Sequence, residues 1–158
     1  MIDTVPMMAE RGWWLRWLRG RRGLVTWWVL ISCTAVNGVA VGYGSLWFLN
    51  LSLSRGDYLI SGGGYAAAAV VLMFAAVGAA GLRGPLSVVY GSLLLAVVLV
   101  ALAVRSFMIA ADYSPGASWD SPWDGAGGVL CLPWTWPLLL CGIVGAYRLI
   151  SERDRHTD

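Results

Sequence analysis

Leu86–Val104 reads LSVVYGSLLLAVVLVALAV, nineteen residues without a charge, closed by Arg105. A helix rises about 1.5 Å per residue, and roughly 20 apolar residues cross a hydrocarbon core about 30 Å thick, so this stretch alone predicts a membrane span. The rest of the chain must then fit a bilayer. Of 158 residues, 58% are hydrophobic and 13% charged, with a mean hydropathy of +0.68, which places the whole chain in the membrane class.

Working outward, Gly81-Leu82-Arg83-Gly84-Pro85 is a tight breaker, with Pro85 suited to open the span at 86–109. The span before it, 62–80, therefore folds back as a hairpin partner. It is built from Gly62, Gly63, Gly64, Ala66–Ala69, Ala75, Ala76, Gly78, Ala79 and Ala80. A helix so weakly apolar, with so much backbone uncovered, is expected to be surrounded by its neighbours.

A polar turn at Arg55-Gly56-Asp57 links this hairpin to a first span at 24–50. Thr34, Gly38, Gly42 and Ser45 fall on one side of that span, with Gly38 and Gly42 as a small-xxx-small pair for close helix approach. Asn37 stands near its midpoint, where an amide must hydrogen-bond to protein or water. Residues 1–22 interleave Arg11, Arg16, Arg19, Arg21 and Arg22 with Trp13, Trp14 and Trp17, the composition of an interfacial segment or of the basic flank of a first span.

Beyond Arg105, Asp112–Gly128 is rich in Pro, Gly and Ser and predicts an irregular loop. A fourth span at 129–150 opens on Leu132-Pro133-Trp134-Thr135-Trp136-Pro137, and the two prolines require a kink or a non-helical piece there. Residues 151–158 form a charged tail. All eleven basic residues are Arg; nine fall on the side of the N-terminus and two, Arg55 and Arg105, on the other. The positive-inside rule then puts both termini in the cytoplasm. The expected fold is an all-α membrane protein: a four-transmembrane-helix bundle in the plasma membrane, with one extracytoplasmic loop between helices 3 and 4. The Arg-only, Gly/Ala-rich usage points to a GC-rich bacterial coding sequence.

Chemistry is sparse. Cys33, Cys131 and Cys141 form no CxxC pair, and the only histidine is His156, so no metal site, cofactor or catalytic constellation is expected. A net charge of +2 gives no ground for a nucleic-acid partner. The one candidate polar cluster is Arg105 with Asp112, Asp120 and Asp124 on the outer face. It reads either as a cation or headgroup site or as a solvated turn. Asp120-Ser-Pro-Trp-Asp124-Gly125 imitates part of an EF-hand loop but has Pro122 at position three and Cys131 at position twelve. Inside the membrane the candidates are Thr34, Asn37, Gly38 and Gly42, as packing or polar contacts.

Three functions are carried forward. The first is a non-catalytic packing or assembly subunit that meets the bilayer and itself or another membrane protein. The second is a small carrier or pore with a polar path past Thr34, Asn37 and Tyr90. The third is an enzyme or ligand-binding protein that uses the acidic, Trp-rich outer loop.

Overall fold

The computed structural model describes residues 21–47, 54–112 and 121–154. The expected interfacial segment 1–22 lies outside them except for its last two residues, as does the tail beyond 154. Among the described residues the chain is all-helical. The helices are α1 (Arg21–Trp47), α2 (Arg55–Gly81), α3 (Leu86–Asp112), α4 (Pro122–Leu130) and α5 (Thr135–Asp154). Helices α1, α2 and α3 are each long and apolar enough to cross a membrane, and α4 with α5 make a fourth if that bent pair counts as one span.

Two departures from the expected boundaries share one cause. Helix α2 begins at Arg55, seven residues before the expected 62, because Ser54 and Asp57 form a capping box that starts the helix there. The 112–128 segment expected to be irregular holds most of α4, which runs on to Leu130 and is started by the same device in Ser121 and Asp124, with Pro122 at the first helical position. Helix α3 runs on to Asp112, three residues past the expected end.

The hairpin turn is a Schellman motif. Gly84 N–H donates to Ala79 O at 2.6 Å and Arg83 N–H to Ala80 O at 3.1 Å, with Arg83 in the left-handed region at φ 54°. The kink or non-helical piece expected at Leu132–Pro137, in the opening of the fourth span, falls at Cys131–Trp134, where α4 and α5 meet at 88°. Pro133 lies in the break. Pro137 is the third residue of α5, where its missing N–H would have had no partner within the helix. Thr135 Oγ1 donates to Leu132 O at 2.7 Å, a carbonyl that also accepts the Thr135 N–H at 3.2 Å across the break.

Helix α2 is the centre of the molecule. In its most apolar stretch 67% of residues are buried, against 22% in α1 and 28% in α3. It packs along α1, α3, α4 and α5, whereas α1 meets α3, α4 and α5 only slightly. The arrangement is a hub with satellites, and most of its core lies on or against α2: Ile31, Val71, Leu72, Val88, Val129 and Leu138 are fully buried.

The small residues make this possible. Added Cβ atoms would strike Ala68 from Gly38, the Tyr65 ring from Gly42, and the Cys141 backbone from Gly78. Such approach gives close van der Waals contact between helices, which is what holds them together where water supplies no drive. At one end of the hub, Trp28 of α1 packs on Gly91 of α3 and Arg83 pairs with Glu152 at 3.2 Å. The start of α1, the α2–α3 turn and the end of α5 therefore share that end.

Candidate functional site

The expected polar cluster does not come together among the described residues. Asp124 is exposed, and its carboxylate accepts the Ser121 N–H at 2.9 Å, so its charge serves the start of α4. Arg105 and Asp112 border one shallow surface of α3 with Ala101, Val104 and Met108. Both are exposed, and no ion pair joins them. Asp120 lies outside the described residues. Asp57, read from sequence as part of a polar turn, is buried at 4% exposure and accepts the Ser54 N–H at 2.7 Å and the Ser54 Oγ–H at 2.8 Å.

The intramembrane candidates are dispersed in the same way. Thr34 is fully buried and donates to its own helix at Leu30 O, 2.9 Å. Asn37 reaches across to α4, donating to Gly128 O at 3.4 Å. Its partner thus sits on the short helix α4, in a segment whose composition predicts a loop. Gly38 and Gly42 are spent on α2. Tyr90 is 68% exposed on α3, so it does not continue a polar path from buried Thr34. A buried pair absent from the sequence reading, Ser61 and Ser106, hydrogen-bonds between α2 and α3 at 3.3 Å.

What the structure does build is apolar. Helix α4 crosses α2 at backbone contact: a Cβ on Gly63 would strike the Pro122 carbonyl, and one on Gly125 the Ile60 carbonyl. Beside this crossing lies a cleft of about 330 Å³. Gly63, Ala66, Ala67 and Val70 of α2 form its floor, Phe107 of α3 a wall, and Pro122, Trp123, Ala126 and Leu130 of α4 its roof. No ionisable side chain lines it. Trp123 is 80% exposed at the rim.

Protein-family models, curated proteins and solved structures give no match to this chain.

The cleft had only an indirect sequence signal. The Gly/Ala content of α2 marks a floor that other helices approach, but the roof depends on α4. The local signal for α4 is the Ser-x-x-Asp pattern at Ser121 and Asp124, repeated at Ser54 and Asp57.

Proposed function

We propose that this chain is an integral membrane protein of four spans, the fourth broken at Cys131–Trp134, with a non-catalytic packing or assembly role in a membrane complex. Both termini face the cytoplasm of a bacterial cell. The orientation is supported by the arginines: by the order of the spans in sequence, nine of eleven fall on one side and two, Arg55 and Arg105, on the other.

The observation that carries the functional reading is the use made of the polar side chains. Asp57 and Asp124 cap helices, Asn37 ties α1 to α4, and Ser61 and Ser106 tie α2 to α3. Each such contact holds the architecture. Since the Gly38 and Gly42 strip is already covered by α2, a partner meets the outward faces instead, such as Val25, Val29 and Val36 on α1 or Leu140, Ile143 and Tyr147 on α5, all exposed.

Two measurements test this. Capture of the full chain from native membranes in mild detergent is expected to bring down a stoichiometric membrane protein, retained when Asp112 and Asp124 are both changed to Asn. Vesicles holding the purified chain are expected to be silent to ions and small solutes. Flux that Asn37→Leu abolishes would overturn the reading in favour of a carrier or pore.

A further inference from the structure

We propose that the end of α3 away from the α2–α3 turn binds the headgroup of a phosphatidylethanolamine, with Arg105 on its phosphate and Asp112 on its ammonium. The inference rests on the membrane-spanning reading above and is independent of the assembly role. Ala101, Val104, Arg105, Met108 and Asp112 fall at i, i+3, i+4, i+7 and i+11, a single stripe on a helix. Together with Ile109 they line one shallow surface. Arg105 and Asp112 are both exposed there, and neither is paired among the described residues.

Depth decides what meets the two charges. Leu86–Val104 carries no charge, and Arg105 stands nineteen residues beyond Leu86, about 28 Å along the helix, at the edge of a hydrocarbon core about 30 Å thick. Asp112 lies seven residues further, about 10.5 Å, at the outer margin of the headgroup layer. The guanidinium is therefore at the level of the lipid phosphates, with the carboxylate above it. A phospholipid presents its charges in the same order, because the phosphate is esterified to glycerol and the amine is at the free end. Phosphoethanolamine, with a charge-assisted hydrogen bond of about 2.8 Å at each end, fits between the two side chains at this spacing. The helix terminus acts in the same sense. Helix α3 has no basic residue in its last turn and ends on Asp112, so the negative end of its dipole and the carboxylate both attract a cation.

Charge and composition select among occupants. Copies of this chain inserted the same way and packed on this face would set Arg105 against Arg105 and Asp112 against Asp112, like charge on like. A headgroup of net negative charge would satisfy Arg105 but meet repulsion at Asp112. A quaternary ammonium has no N–H to donate and is recognised by aromatic rings, of which this surface has none. The primary ammonium of phosphatidylethanolamine has three N–H donors, as a lysine has.

The test is native mass spectrometry of the full chain, purified in mild detergent and offered equal amounts of phosphatidylethanolamine, phosphatidylcholine and phosphatidylglycerol with the same acyl chains. Phosphatidylethanolamine is expected to be retained about tenfold more than either of the others, as one molecule per chain. Arg105→Gln and Asp112→Asn, each shown folded by circular dichroism, are each expected to remove the preference. Arg83→Gln, in the α2–α3 turn, is expected to keep it. Exchanging the charges, by Arg105→Asp with Asp112→Arg, is expected not to restore it, since the glycerol fixes the order of phosphate and ammonium. Soluble phosphoethanolamine in equal amount is expected not to compete. Equal retention of the three lipids or preference for another of them would overturn the proposal, and the parent chain alone reads this. Preference that survives either single variant or returns with the exchange, or displacement by soluble phosphoethanolamine, would overturn it too. Release of the chain from membranes by alkaline carbonate without detergent would instead sink the membrane-spanning reading itself.

Discussion

Asp57 and Asp124 show how a carboxylate in a turn divides between chemistry and architecture. Each accepts the backbone N–H of the serine three residues earlier, a donor that has no partner within its own helix. Replacing an acceptor of this kind costs about 0.5–2 kcal/mol. Asp57→Ala belongs at the upper end, since the buried site leaves the Ser54 N–H without water. Asp124→Ala belongs at the lower end, where solvent reaches Ser121. Thermal unfolding in detergent followed by circular dichroism is expected to rank them so, with Asp57→Asn close to the parent because an acceptor oxygen remains. Equal losses for the two alanine variants would contradict the ranking by burial, and no loss in either would contradict the capping assignment. Both boxes are legible as Ser-x-x-Asp. The EF-hand likeness at Asp120–Gly125 fails on Pro122 and Cys131, and the Asp124 carboxylate serves the Ser121 N–H instead.

At the scale of the element, α2 and α4 were legible to very different degrees. The Gly and Ala run of α2 states its position directly, because a helix with so little side chain is stable in a membrane only when other helices cover it. Helix α4 has nine residues, three of them Gly, and its intrinsic propensity is accordingly poor. It forms because it is clamped to α2, a tertiary cause that periodicity does not carry. The clamp makes opposite predictions for its glycines. Gly127 has open space where a Cβ would go, so Gly127→Ala is expected to stabilise by up to about 1 kcal/mol through helix propensity. Gly125→Ala and Gly63→Ala force backbone apart at the crossing and are expected to destabilise by about 1–3 kcal/mol, the usual cost of overpacking. Denaturant titration of the three variants, with the Asn37–Gly128 tie left in place, reads the sign directly.

For the whole molecule, the hub arrangement fixes where the start of α1 and the end of α5 lie. Trp28 against Gly91 places the start of α1 beside the start of α3, and the Arg83–Glu152 pair places the end of α5 beside the α2–α3 turn. The pair itself contributes little, since both side chains are more than half exposed. Its value is geometric. If the bent α4–α5 pair counts as one span, N- and C-terminal reporter fusions must report the same compartment, and the orientation proposed above predicts that it is the cytoplasm. A fluorescent-protein fusion is expected to be bright at either terminus, and an alkaline phosphatase fusion inactive at both. Phosphatase inserted at Gly84, in the α2–α3 turn, is expected to be inactive too, while one inserted after Asp112 is active. Moving charge checks the cause as well as the result. Arg83 sits in a short turn, within reach of the bias, so replacing Arg148, Arg153 and Arg155 together is expected to leave the topology unchanged while Arg11, Arg16, Arg19, Arg21 and Arg22 remain. A phosphatase signal at the C-terminus of the otherwise unaltered chain would mean that α4 and α5 do not act as a single crossing, and the four-span reading would fall with it.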